Sequence, residues 1–122
     1  MAINPKGVDL KRFLAEDDGG PVVMLNLLRF KEQDGRASYE EYGRRFSKFA
    51  ERLDTKVLYL GLGSTVLVAE AGQSWDAVLV VRYPTRKAFS QMVADPEYQT
   101  FTHLRTEALV EAVLQATTPW AF

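Results

Sequence analysis

The chain has 122 residues, of which 47% are hydrophobic and 25% charged, with a formal net charge of −1. That length makes a single domain, long enough to remove roughly two thirds of its unfolded surface from water on folding, and that mix excludes a disordered or fibrous chain. Both charge signs are interspersed, so no basic stripe exists to hold nucleic acid, and the lack of cysteine excludes a disulfide framework, a thiolate nucleophile and Cys-type zinc or iron–sulfur sites.

The opening "MAINPKGVDLKRF" lacks the charged and apolar regions of a secretory leader, and no apolar run approaches the roughly 20 residues needed to span a bilayer. The expectation is a cytoplasmic protein with no membrane partner. Val8 to Ala15 read as a short amphipathic helix with Leu10, Phe13 and Leu14 apolar, and "EDDGGP" is a turn cluster that ends it. "VVMLNLLRF", Val22 to Phe30, then reads as a buried strand from its length and near-continuous apolar character.

After the polar loop "KEQDGRA", Ser38 and Glu41 have the spacing of a capping box. Tyr39, Tyr42, Phe46, Phe49 and Leu53 follow at helical spacing, which predicts a helix over about 39–53. "KVLYLGLGSTVLVAE" reads as a long strand over 56–70, bent or bulged at Gly61 and Gly63. The turn "AGQS" and the strand "WDAVLVVRYP" complete a hairpin.

Thr85 is placed to cap a helix with Ala88, Phe89, Met92 and Val93 on its apolar face. Asp95-Pro96-Glu97 supplies a cap, a first-position proline and a first-turn acid for the next helix. "LVEAVLQATTPW" closes the chain as a strand, with its boundary near Leu109. The order β-α-β-β-α-β behind an N-terminal helix is the split βαβ pattern of ferredoxin-like α+β folds, a four-stranded antiparallel sheet with helices on one face. Strands this apolar on both alternations require cover on the other face as well, which points to a homodimer with sheets face to face.

The segments "PVVMLNLLRFKE", "SYEEYGRRF", "WDAVLVVRYPTRKAF" and "DPEYQTFTHLRTEAL…LQATTP", in that order, resemble the family known as domain of unknown function 1330, of the dimeric α+β barrel superfamily, over about residues 20–119. The resemblance implies the ferredoxin-like fold, dimerisation and a cavity between sheet and helices in each subunit. Relatives at the superfamily level include cofactor-free monooxygenases, muconolactone-type isomerases, haem-dependent dismutases and peroxidases, and ligand-binding regulators, and fold analogy does not choose among them.

Period-two geometry separates candidate residues on the first strand. Met24, Asn26, Leu28 and Phe30 share one face and Val23, Leu25, Leu27 and Arg29 the other, so Asn26 and Arg29 cannot line one cavity. An unpaired amide in an apolar strand costs about 1–3 kcal/mol, so Asn26 either faces a wet pocket or has a structural partner. On the hairpin's second strand Arg82 could grip a carboxylate or enolate, or else snorkel or pair with Glu70. Tyr39 and Tyr42 are core rings whose hydroxyls need partners and suit a developing oxyanion.

The sole histidine, His103, is the candidate general base, with Arg82 or Arg105 holding an anion and Tyr98 on the adjacent helical face. Its plain alternative is a surface histidine at a helix start. No phosphate loop, dinucleotide fingerprint, nucleophile elbow or metal-binding spacing is present. No cofactor or metal is expected, although haem on His103 and flavin bound without a fingerprint stay open. Whether the chain is an enzyme also stays open. One reading is a small homodimer that binds a small organic anion or aromatic compound in its cavity, with cofactor-free proton transfer, isomerisation or oxygenation as its chemistry. The other is a non-catalytic ligand-binding or structural dimer.

Overall fold

The computed structural model describes residues 1–121. Its elements are α1 (Gly7–Ala15), β1 (Val22–Phe30), α2 (Gly35–Ala50), β2 (Lys56–Leu62), β3 (Ala77–Tyr83), α3 (Arg86–Ala94), α4 (Pro96–Gln99), α5 (Thr102–Ala108) and β4 (Leu109–Thr117). The sheet runs β2-β3-β1-β4, with every neighbouring pair antiparallel. This is the expected ferredoxin-like arrangement, with β1 central and β2 paired to β3.

The alternation of β1 sets the layers. Val22, Met24, Asn26 and Leu28 are buried on the helix side, while Val23, Leu25, Leu27 and Arg29 lie on the opposite face and are half-buried. Leu28 and Leu109 have no exposed surface at all, and truncating either to alanine would cost about 2–5 kcal/mol. Over this inner face, Tyr42 and Phe49 of α2 pack against Tyr98 and Phe101, with ring centroids 5.9–6.4 Å apart. α1 buries none of its own residues. It docks through Phe13, whose ring meets Phe89 of α3 edge-on at 5.4 Å.

Several boundaries differ from the sequence reading. α2 starts at Gly35, four residues before the expected start, because Asp34 takes a left-handed turn at φ 63° and Gly35 lies tight against the chain: a Cβ there would be 2.7 Å from the Ala108 carbonyl oxygen. The capping box does not form. Ser38 Oγ instead donates to the Leu104 carbonyl at 2.9 Å, and Glu41 pairs with Arg44 and Arg45 on the helix surface.

β2 stops at Leu62 rather than continuing to residue 70. Gly63 turns away, its N–H donating to the Asp76 carbonyl at 2.8 Å, where a side chain would run into the Trp75 carbonyl. The bulge lies between Val57 and Tyr59, not at the glycines. β3 correspondingly begins at Ala77, after Asp76 has tied into β1 by donating from its N–H to Leu28 O and accepting from Phe30 N. Glu70 falls in the intervening loop, and the cross-strand neighbours of Arg82 are Val23 and Lys56.

The segment from Pro96 forms two short helices instead of one. Asp95 caps the first, its carboxylate accepting from Glu97 N at 2.8 Å. Thr100 Oγ1 then donates to the Glu97 carbonyl at 2.6 Å, the local competition by which threonine disfavours a continuing helix. Phe101 leaves helical geometry at φ −126°, and its ring enters the aromatic cluster. The closing strand begins at Leu109 as expected and ends at Thr117.

Candidate functional site

Between the inner sheet face and α2 to α5 lies a cavity of about 290 Å³. Its floor is Asn26 in the middle of β1, Tyr83 at the end of β3 and Leu114 of β4. Its roof is Tyr42, Phe89, Met92, Val93, Tyr98, Gln99, Thr102, Arg105 and Thr106, and Asn4 and Pro5 close one side. Among the described residues the lining includes no carboxylate, imidazole, amine or thiol.

Arg105 dominates the electrostatics. Its residue is 8% exposed, and one terminal nitrogen, Nη1, donates to Ile3 O at 2.8 Å and Asn4 Oδ1 at 3.1 Å. The other, Nη2, is buried with no partner, and no carboxylate pairs with the guanidinium among the described residues. A buried cation left without a counter-charge carries a desolvation cost of several kcal/mol, and a buried unsatisfied donor calls for an explanation.

Beside it the Tyr42 and Tyr98 hydroxyls share a hydrogen bond of 2.8 Å. Two phenols hold two protons and spend one between them, so one remains to donate elsewhere. Burial pushes the Tyr42 phenol well above its usual range, reinforced by the neighbouring Tyr98 and Tyr39 and opposed by Arg105. Burial also raises Tyr83, again against Arg105. Both phenols are therefore protonated donors at neutral pH. Asn26, 8% exposed, donates its amide nitrogen to Met24 O at 3.4 Å and Leu79 O at 3.3 Å. Both partners are carbonyls, which fixes the amide orientation and leaves the side-chain oxygen as an acceptor without a donor among the described residues. The arrangement can hold an anion and stabilise negative charge on oxygen.

The fold thus brings four of the sequence candidates, Asn26, Tyr42, Tyr98 and Arg105, to one cavity. Tyr39 lines a neighbouring groove of about 590 Å³ between α2 and β2, in which Tyr42 is a shared wall. Burial pushes the Tyr39 phenol up to about 12. Arg82 projects from the opposite sheet face, in register with Val23. His103 is exposed on α5 and lines neither space. Arg29, also on the outer face, is held by Glu111 at 2.5 Å and by the Gly72 and Ser74 carbonyls, and stacks over Trp75 at 4.4 Å.

Among the lining residues that went unread as site residues, Tyr83 and Asn4 differ in why. Tyr83 shares the inner alternation of β3, a signal that was present in the sequence. Asn4 arrives through a contact spanning 101 positions, which no local pattern announces. Another groove of about 530 Å³ lies under α1. Its charged lining residues Lys6, Asp9, Arg12 and Glu16 are exposed, and the half-buried Arg86 is already engaged by the Phe13 carbonyl and ring. Among the described residues no cluster of three or more His, Cys, Asp or Glu side chains could hold a metal ion, and no helix is long and apolar enough to cross a membrane.

A family model described as domain of unknown function (DUF1330) matches residues 27–116. No curated protein matches the chain. Among solved structures, a protein of unknown function from Rhodopseudomonas palustris is similar at 32% identity and a TM-score of 0.88, over 98% of this chain and 97% of that one. A dimeric ferredoxin-like protein of unknown function from Jannaschia sp. CCS1 is similar at 10% identity and a TM-score of 0.64, over 82% and 100%. Hydroxynitrile lyase from Passiflora edulis is similar at 11% identity and 0.62, over 85% and 98%. The last two likenesses, at such identity, concern the fold alone.

Proposed function

We propose that this chain, which belongs to the domain of unknown function 1330 family, binds a small organic anion in the cavity under its sheet and acts as a homodimer. The observation that carries the reading is Arg105, a buried guanidinium with, among the described residues, an unpartnered nitrogen and no counter-charge. An anionic ligand in the cavity that Arg105 lines would supply the counter-charge. The phenols of Tyr42, Tyr98 and Tyr83 line the same cavity and can share the anion's charge, and Phe89, Met92 and Leu114 offer apolar cover to the rest of the molecule.

The same donor set would stabilise an enolate or phenolate, which is the electrophilic half of a proton transfer. Among the described residues the lining supplies no base for the other half, so the reading rests on binding and assigns no role to His103 or Arg82. It calls for no cofactor. The homodimer is supported by the apolar outer face of the sheet and by the dimeric state given for the Jannaschia protein.

The experiment is a thermal-shift titration of the full chain with benzoate and short aliphatic carboxylates beside matched alcohols. A ligand that binds only the folded state, present at 100 times its Kd, adds about 2.7 kcal/mol of stability. Carboxylates should raise the midpoint and alcohols should not, and Arg105→Met should abolish the shift while remaining folded. Equal stabilisation of Arg105→Met and the native chain would overturn the reading.

A further inference from the structure

We propose that residues 64–69, the limb that leads out of β2, form an arm that crosses to the second copy of the dimer and is covered by it. The inference deepens the homodimer reading and rests on it.

The connection between β2 and β3 has two unlike limbs. The returning limb is tied down. Glu70 N donates to the Gln73 side-chain oxygen at 2.8 Å and Gln73 N to the Glu70 carbonyl at 3.1 Å, while the Gly72 and Ser74 carbonyls accept from Arg29 at 2.9 and 2.7 Å. The outgoing limb has no such ties. Gly63 N makes the last bond to β3's side of the hairpin, and from Ser64 to Ala69 no group finds a hydrogen-bond partner among the described residues.

The same limb is apolar and uncovered. Leu67 and Val68 are 91% and 94% exposed, and Leu60 and Leu62, in the edge strand that feeds it, are 63% and 60% exposed. No charge or proline, the usual guards of an exposed edge, occurs from Val57 to Ala69. Apolar side chains beside unpaired backbone, held at both ends by the Gly63 bond and the Glu70–Gln73 turn, suit a segment that pairs with another chain's sheet.

Position selects the second copy as that chain. Arg29, which anchors the returning limb and stacks over Trp75 at 4.4 Å, belongs to the outer alternation of β1, two residues from Leu27. The end of the hairpin therefore lies on the outer side of the sheet, continuous with the apolar face assigned to the dimer. Sheets packed face to face stand about 10 Å apart, and six extended residues span about 20 Å, enough to cross that gap and lie along the facing sheet. A two-fold axis makes the exchange mutual, each copy giving one arm and receiving one. A charged partner would find no counter-charge on this limb, whereas the facing sheet is apolar.

The test is hydrogen–deuterium exchange of the full chain, at a concentration where sedimentation shows the dimer, together with the dimer dissociation constant of the double variant Leu67→Ser/Val68→Ser. Amides of residues 64–69 should exchange at least tenfold more slowly than in a free peptide of the same sequence. The double variant should dissociate at least tenfold more readily with its circular dichroism unchanged. Both side chains are almost fully exposed in the single copy, so their replacement leaves its core intact, and the exchange measurement stands on the native protein alone. Peptide-like exchange in the native dimer, or a double variant that dimerises as tightly as the native chain, overturns the arm while the homodimer stands. A native chain that sediments as a monomer overturns both.

Discussion

The two helical positions Arg105 and His103 are separated by about 200° around the axis, so only one of them can face a cavity under the sheet. The fold turns Arg105 inward, and His103 is thereby solvent-facing. That exclusion was legible in the spacing, just as Asn26 and Tyr42 were legible from strand and helix periodicity. What no local pattern could show was that Arg105 would be left with half its guanidinium unpartnered, because that depends on backbone from residue 3 and the side chain of residue 4. The buried phenols make a residue-scale prediction about alkali. Tyr39, Tyr42 and Tyr83 all have their ionisation raised in the fold by burial, Tyr39 to about 12. The unfolded chain releases these protons near 10, so above that pH it binds fewer protons than the native state, and stability falls as pH rises. Their contribution should be complete below pH 10 and lost progressively through pH 12. Phenolate absorbance followed alongside circular dichroism should show buried tyrosines ionising together with unfolding, and Tyr39→Phe should flatten the decline. Ionisation of all tyrosines near 10 with the fold intact would refute it.

At the scale of elements, two glycines predict substitutions of opposite sign. Gly63 ends β2 by turning where a Cβ would strike the Trp75 carbonyl, and its N–H bonds Asp76 O at 2.8 Å. Gly63→Ala must shift one strand of the hairpin and should destabilise by more than about 2 kcal/mol. Gly43 sits inside α2 with open space around the position of a Cβ, so Gly43→Ala should stabilise by about 0.5–1 kcal/mol through helix propensity alone. Urea denaturation with unchanged m-values would measure both. The same segments show where sequence reasoning failed. The apolar run after Gly63 looked like strand because Val66, Leu67 and Val68 have the composition of one, yet Leu67 and Val68 are 91% and 94% exposed in a loop. Composition cannot report that the neighbouring strand has no edge left to pair with them. Ser38 and Glu41 had capping-box spacing, but the start of α2 is decided by the approach of Gly35 to Ala108, a contact across 73 positions. Asp95 met no such competitor and capped as its local pattern required.

For the whole molecule, the alternation that builds the cavity also leaves an apolar surface behind it. Leu27 lies opposite Val78 on β3 and Val113 on β4, and Leu25 opposite Val80, so these side chains form one continuous outer patch across the adjacent strands β3, β1 and β4. Contiguous apolar area of this kind is rare on monomers, and pairing two such sheets should bury more than roughly 1,000 Å² in total. Sedimentation at micromolar concentration should therefore show a dimer. Leu27→Lys sets a charge at the centre of that patch without touching any residue that lines the cavity, and it should convert the protein to a folded monomer with a lower thermal midpoint. Because Asn26 and Leu27 point to opposite faces, the monomer should keep the Arg105, Tyr42 and Asn26 geometry and still be stabilised by benzoate. A Leu27→Lys protein that remains dimeric would place the interface elsewhere. A monomer that has lost carboxylate binding while retaining its circular dichroism would mean that the second copy supports the cavity through the sheet, so that the two faces are mechanically coupled where the alternation keeps them chemically separate.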